Sequence, residues 1–151
     1  MIRQRLSDAL KAAMKAKEEL SVSTLRLILA ALKDRDIAAR SKGKKDGIAD
    51  EEVLGLLQSM IRQRRESIAA YEQGGRMDLA QKEAGEIAII EGFLPQQMSE
   101  GEMAAAVDTV IKSVGAGSLK DMGKAMAALK QQFAGRMDFA KAGAMIKERL
   151  S

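Results

Sequence analysis

The stretch Phe93-Leu94-Pro95-Gln96-Gln97-Met98-Ser99-Glu100-Gly101-Glu102 holds the only proline in 151 residues. Pro95 lacks a backbone N–H and pushes Leu94 out of the helical region, so a helix running up to Phe93 must stop there. Ser99 restarts the chain. In Ser-Glu-Gly-Glu the Ser99 hydroxyl can accept from the Glu102 amide while the Glu102 carboxylate reaches back to the Ser99 amide. A stop and a start this close together read as a linker between two helical blocks, a larger one at 1–94 and a smaller one at 95–151.

Outward toward the N-terminus, Ile2, Leu6, Leu10, Ala13 and Met14 recur at helical spacing opposite Arg3, Gln4, Lys11 and Lys15. Ser21 or Ser23 can cap a second helix, whose Leu25, Ile28, Leu29 and Leu32 form a stripe that wants burial. Lys33, Arg35, Arg40, Lys42, Lys44 and Lys45 then accumulate around Gly43 and Gly47, which predicts a basic, mobile loop. Asp50 caps a third helix, with Glu51 and Glu52 favourably placed at its positive end. Its face of Val53, Leu57, Met60, Ile61, Ile68 and Tyr71 is interrupted only by Arg64. Gly74 and Gly75 end it, and Asp78, with Gln81 three residues on, caps a fourth helix that carries Ile87 and Ile90 to the joint.

Outward toward the C-terminus, Met103, Val107, Val110, Ile111 and Val114 mark a fifth helix ending at Gly115 or Gly117. Ser118 with Asp121 starts a sixth, striped by Leu119, Met122, Met126, Leu129 and Phe133 and ending at Gly135. Asp138 starts a seventh, with Phe139, Met145 or Ile146, and Leu150 facing inward. The fold class is therefore all-α, about seven helices. Gly75-Arg76-Met77-Asp78-Leu79-Ala80 returns as Gly135-Arg136-Met137-Asp138-Phe139-Ala140. Since Gly ends helices and Asp starts them, shared turn chemistry explains the echo better than duplication does.

Composition bounds the chemistry. Hydrophobic residues make up 46% and charged ones 30%, the balance of a soluble globular protein. With no Cys and no His there is no thiolate, no disulfide and no imidazole base or ligand, so no catalytic residue, cofactor or metal site is expected. No signal peptide or membrane span is evident, which makes a cytoplasmic protein without a membrane partner the default. The net charge of +4 is compatible with nucleic acid without requiring it.

Leu25-Arg26 with Ala31-Leu32-Lys33, Arg62-Gln63-Arg64-Arg65-Glu66-Ser67 with Tyr71, Glu83-Ala84-Gly85-Glu86-Ile87 and Phe93-Leu94-Pro95 resemble the YqeY-like proteins in order and spacing. Asp121-Met122-Gly123-Lys124-Ala125-Met126 and Gly135-Arg136-Met137-Asp138 resemble the domain those proteins share with the tail of the tRNA-dependent amidotransferase B subunit. The resemblance implies an N-terminal helical domain at 1–94, an amidotransferase-tail-like helical domain at 95–151, and tRNA as a partner. It also brings a family association with carbon-nitrogen ligase activity using glutamine as amido-N-donor. A stand-alone activity of that kind is not expected, because the chain lacks a Gly/Ser-rich amidase segment and a P-loop.

Two functions follow. The first is a non-catalytic tRNA or structured-RNA binding protein. Its contacts would be Lys120, Lys124, Lys130, Arg136 and Lys141, assisted by Arg62, Arg65, Arg76 and the loop from Arg40 to Lys45. Such cations neutralise phosphates, and aromatics at 3% argue against stacking on single strands. The second is a protein-interaction adaptor docking on a synthetase or amidotransferase, for which ten Met residues could supply adaptable surface. An enzyme acting alone would need a carboxylate pair such as Glu83 and Glu86, which, one turn apart on a helix, read as solvated or salt-bridged. Nothing in the sequence sets the oligomeric state.

Overall fold

The computed structural model describes all residues, Met1–Ser151, and is all-α with seven helices. Its internal contacts divide it into two compact units, Met1–Leu94 and Pro95–Ser151. The first contains α1 (Ile2–Ala16), α2 (Glu19–Arg40), α3 (Asp50–Gln73) and α4 (Met77–Glu91). Leu6, Ile28, Val53, Leu57 and Ile90 are fully buried at its centre, so each helix contributes to one core. α3 and α4 form its most extensive pair, followed by α1 and α2.

Local chemistry moved several helix ends from their expected positions. α1 closes with Lys17 in the left-handed region (φ 58°), where the Lys17 and Glu18 amides donate to the Met14 and Ala13 carbonyls at 3.3 and 3.0 Å. This reversal lets α2 begin at Glu19, before Ser21 and Ser23, so neither serine is the cap. The Ser23 hydroxyl donates instead to the Leu20 carbonyl. Ala49, not Asp50, occupies the cap of α3, and the Glu52 carboxylate accepts from its amide at 3.4 Å. α4 starts from Arg76, which places Asp78 inside the first turn. It ends at Glu91, two residues before Phe93. Met14 is half exposed although its spacing put it on the α1 stripe.

The basic loop is built from turns. The Lys42, Gly43 and Gly47 amides donate to the Ala39, Arg40 and Lys44 carbonyls at 3.0, 3.0 and 3.2 Å. Lys33 and Arg35 belong to α2, which runs to Arg40. Arg3 fixes the far end of the loop. Its guanidinium donates to both Asp36 oxygens, at 2.7 and 2.8 Å, and to the Ile48 carbonyl at 2.8 Å, while the Ile48 amide donates to Asp36 at 2.9 Å. These bonds hold the Asp36 carboxyl at about 2, the Arg3 hydrogen bond contributing most.

The second unit contains α5 (Glu100–Val114), α6 (Met122–Gln132) and α7 (Phe139–Leu150), with a single 3-10 turn at Leu119–Asp121 before α6. Val107, Leu129, Met137 and Ile146 are fully buried in its core. Ser99 caps α5 with both bonds of the box, each 3.1 Å long. Ser118 makes no side-chain cap bond; Asp121 accepts from the Gly117 amide at 3.0 Å instead, and Leu119 is half exposed.

Candidate nucleic-acid interface

In the second unit Lys120 lies in the 3-10 turn and Lys124 in the first turn of α6, four residues apart and both exposed. Gly123 stands beside Lys124. A β-carbon on Gly123 would meet nothing within 4 Å, so no close helix approach accounts for this glycine. Lys130 is also exposed on α6. Six residues from Lys124, it stands about 120° away around the helix. Lys120, Lys124 and Lys130 form no ion pair.

The other two proposed contacts of this unit are engaged. Arg136 is half-buried, and its Nε donates to the Gln96 carbonyl at 3.1 Å. Lys141, on α7, pairs with Glu100 at 3.6 Å, with both side chains exposed. Lys120 and Lys124 are therefore unpaired at the start of α6 and Lys130 unpaired in its last turn, whereas Arg136 and Lys141 are engaged with Gln96 and Glu100.

In the first unit Arg62 and Arg65 are three residues apart on α3 and share an exposed face. Arg65 reaches Glu91 of α4 at 3.4 Å. Arg76 pairs with Asp78 at 3.2 Å and holds that carboxyl below its ordinary value. In the loop, Lys44 pairs with Glu52 at 3.4 Å.

Arg64, which broke the apolar face of α3, is the buried member of its run. Its Nε donates to Glu86 at 2.8 Å and lies 3.9 Å from Glu83, and Nη1 donates to the Met60 carbonyl at 3.1 Å. Glu83 and Glu86 are thus salt-bridged, Glu86 within the α3/α4 contact. Such a pair is costly to break because either partner would leave a charge buried alone. Sequence reasoning passed over Asp36, whose partners Arg3 and Ile48 lie 33 and 12 residues away in the chain.

The sequence profile of Yqey-like protein matches residues 3–150, nearly the whole chain. This chain belongs to the YqeY-like family. Among curated relatives, "Altered inheritance of mitochondria protein 41, mitochondrial" of Eremothecium gossypii is 37% identical over 109 residues, covering 70% of this chain and 57% of the relative. Its namesake in Lachancea thermotolerans is 36% identical over 109 residues, covering 70% and 56%. An uncharacterized protein of Schizosaccharomyces pombe is 31% identical over 99 residues, covering 66% and 73%. The chain thus spans about half the length of the first relatives.

The names of the first two relatives overturn the cytoplasmic default, since both are called mitochondrial proteins. That default rested on seeing no signal peptide and no membrane span, and a folded domain carries no cellular address. No helix is long and apolar enough to cross a membrane.

Proposed function

We propose that this chain is a non-catalytic RNA-binding protein whose second unit meets the phosphate backbone of a folded RNA, tRNA in particular. The observation that carries the reading is Gly123 with open space above it, beside Lys124 and near Lys120, neither of which has an acidic partner. Glycine within a helix is less stable than alanine by roughly 0.5–1 kcal/mol, and no packing contact here requires it. A bare backbone beside two unspent cations lets a phosphate come close. Phe133 and Phe139 are packed against the core of this unit rather than displayed, which favours contact with shape and backbone over base stacking. The likeness of Asp121–Met126 to the amidotransferase tail supports tRNA as the folded RNA.

The test is tRNA binding by wild type, Lys124→Ala, Arg136→Ala and the double variant at several salt concentrations. Loss of Lys124 should lower the salt slope by roughly one and weaken all tRNAs about equally, because phosphates carry no sequence information. Gly123→Ala should weaken binding while leaving the fold at least as stable. No binding by wild type at low salt, or identical slopes throughout, sinks the reading. Salt-insensitive recovery of one protein from extract by the wild type would then favour the adaptor.

A further inference from the structure

A second cationic site lies in the first unit, and its case does not depend on RNA. Between α1 and α2 runs a cleft of about 300 Å³, lined by Arg3 and Ser7 on one side and by Leu29, Lys33, Ile37 and Arg40 on the other. Lys33 and Arg40 are seven residues apart, so they project within about 20° of one another on α2, two turns apart. Ile37 stands between them and is 52% exposed.

Asp36 is the one acid in the lining. Its charge is already matched, because both carboxylate oxygens accept from Arg3 and one also from the Ile48 amide. Arg40 acts on Asp36 only through space, and neither Lys33 nor Arg40 forms an ion pair. The cleft therefore holds two cations in excess over an apolar strip of Leu29 and Ile37. Like charges gathered in a concavity raise the local concentration of anions. The volume sits at the small end of the range for small-molecule sites, about 300–1,000 Å³, too small to enclose a helix or a nucleic-acid strand.

We propose that this cleft binds a small soluble amphiphilic anion, its phosphate or carboxylate held between Lys33 and Arg40 and its short apolar body laid on Ile37 and Leu29. Ser7 supplies a neutral donor from the facing helix. Inorganic phosphate offers the charge without the body, and a short alcohol offers the body without the charge. Both should bind more weakly than a molecule that combines them.

The experiment is an NMR titration of the full chain with hexyl phosphate, inorganic phosphate and hexanol in parallel. Hexyl phosphate should bind tightest and shift resonances of Ser7, Lys33, Ile37 and Arg40. Lys33→Gln and Arg40→Gln should each weaken it about tenfold, the loss expected for one charge-assisted contact. Ile37→Ser should bring hexyl phosphate down to the level of inorganic phosphate. All three positions are exposed, and circular dichroism would check that the variants fold. Equal binding of hexyl phosphate and inorganic phosphate overturns the ligand class. Unchanged affinity in the lysine and arginine variants overturns the site. Binding to anionic phospholipid vesicles without binding of free hexyl phosphate overturns the small-molecule occupant.

Discussion

Gly75-Arg76-Met77-Asp78 and Gly135-Arg136-Met137-Asp138 are spelled alike and fold differently. At the first, Gly75 adopts φ +72° and closes α3, with the Gly75 and Arg76 amides donating to the Glu72 and Tyr71 carbonyls at 3.2 and 2.8 Å. α4 then begins at once, so Asp78 falls inside the helix and Met77 is left half exposed. At the second, α6 has already ended at Gln132. Gly135, at φ +75°, is the third residue of a turn closed by the Arg136 amide on the Phe133 carbonyl at 3.0 Å. Arg136 completes that turn and Met137 lies in a bend that places it in the core at 1% exposure, while Asp138 is extended and caps α7 by accepting from Ala140 at 2.9 Å. The letters fix which residues can stop and start a helix, but burial of one methionine decides where the start falls.

The largest test of that contrast is to remove each methionine. Met137→Ala should cost the second unit about 2–5 kcal/mol, the range for truncating a buried Met, whereas Met77→Ala should stay within about 0.5 kcal/mol. Chemical denaturation of the two variants would measure both. Similar losses would mean that the turns are packed alike.

The two units also differ in how they anchor their longest loop. In the first, the Arg3–Asp36 ion pair holds Ile48. In the second, no ion pair holds the Gly135 turn; the Met98 amide donates to the Arg136 carbonyl at 2.9 Å, the Gln97 side chain to the Gly135 carbonyl at 2.6 Å and the Arg136 Nε to the Gln96 carbonyl at 3.1 Å. Asp36 has its pKa lowered to about 2 from an ordinary value near 3.8. Its stabilisation is therefore full above about pH 4 and is lost as the pH falls toward 2, an effect of about 2 kcal/mol. Asp36→Asn should flatten that part of the pH–stability curve. An unchanged acid limb in the variant would remove Asp36 as the anchor.

These cases show which features a sequence displays. The Ser99 box was legible because donor, acceptor and helix start lie within four residues. The Arg64 interruption was visible as a break in an apolar period, and its partner Glu86 as one of a carboxylate pair, although their contact joins two helices. The Arg3–Asp36–Ile48 clamp left no local mark, since its members come together only after α1 packs on α2. Asp50 and Asp78 misled because an acid one or two residues inside a helix gains from the same N-terminal field as a true cap. At the proposed interface the lysines were legible as charges; their pairing was not, and that separates Lys124 from Lys141.

A finer test concerns the two aspartates. Asp138→Ala removes a cap bond and should cost about 1 kcal/mol, while Asp78→Ala, which removes a first-turn acid from an exposed helix end, should cost less than half of that. Equal costs would return Asp78 to the role of cap.

The smallest expected effect distinguishes the two arginines. Arg76 and Asp78 are 60% and 67% exposed, and exposed pairs contribute about 0–1 kcal/mol, so Arg76→Ala should barely move stability. It should nevertheless raise the Asp78 carboxyl toward its ordinary range, because the Arg76 hydrogen bond is the main cause of its depression. Arg136→Ala loses its bond to the Gln96 carbonyl but keeps the backbone bond from Met98 and the Gln97 bond to Gly135. It should therefore loosen the segment at 96–98 without freeing it, so that exchange of the Met98 amide quickens but the amide remains protected. An NMR titration of Asp78 and hydrogen exchange at Met98 read the two effects separately. If Arg136→Ala left Met98 exchange untouched, the arginine would not contribute to holding the turn, and its guanidinium would be spare for a phosphate. Arg136 would then be the stronger RNA contact of the pair.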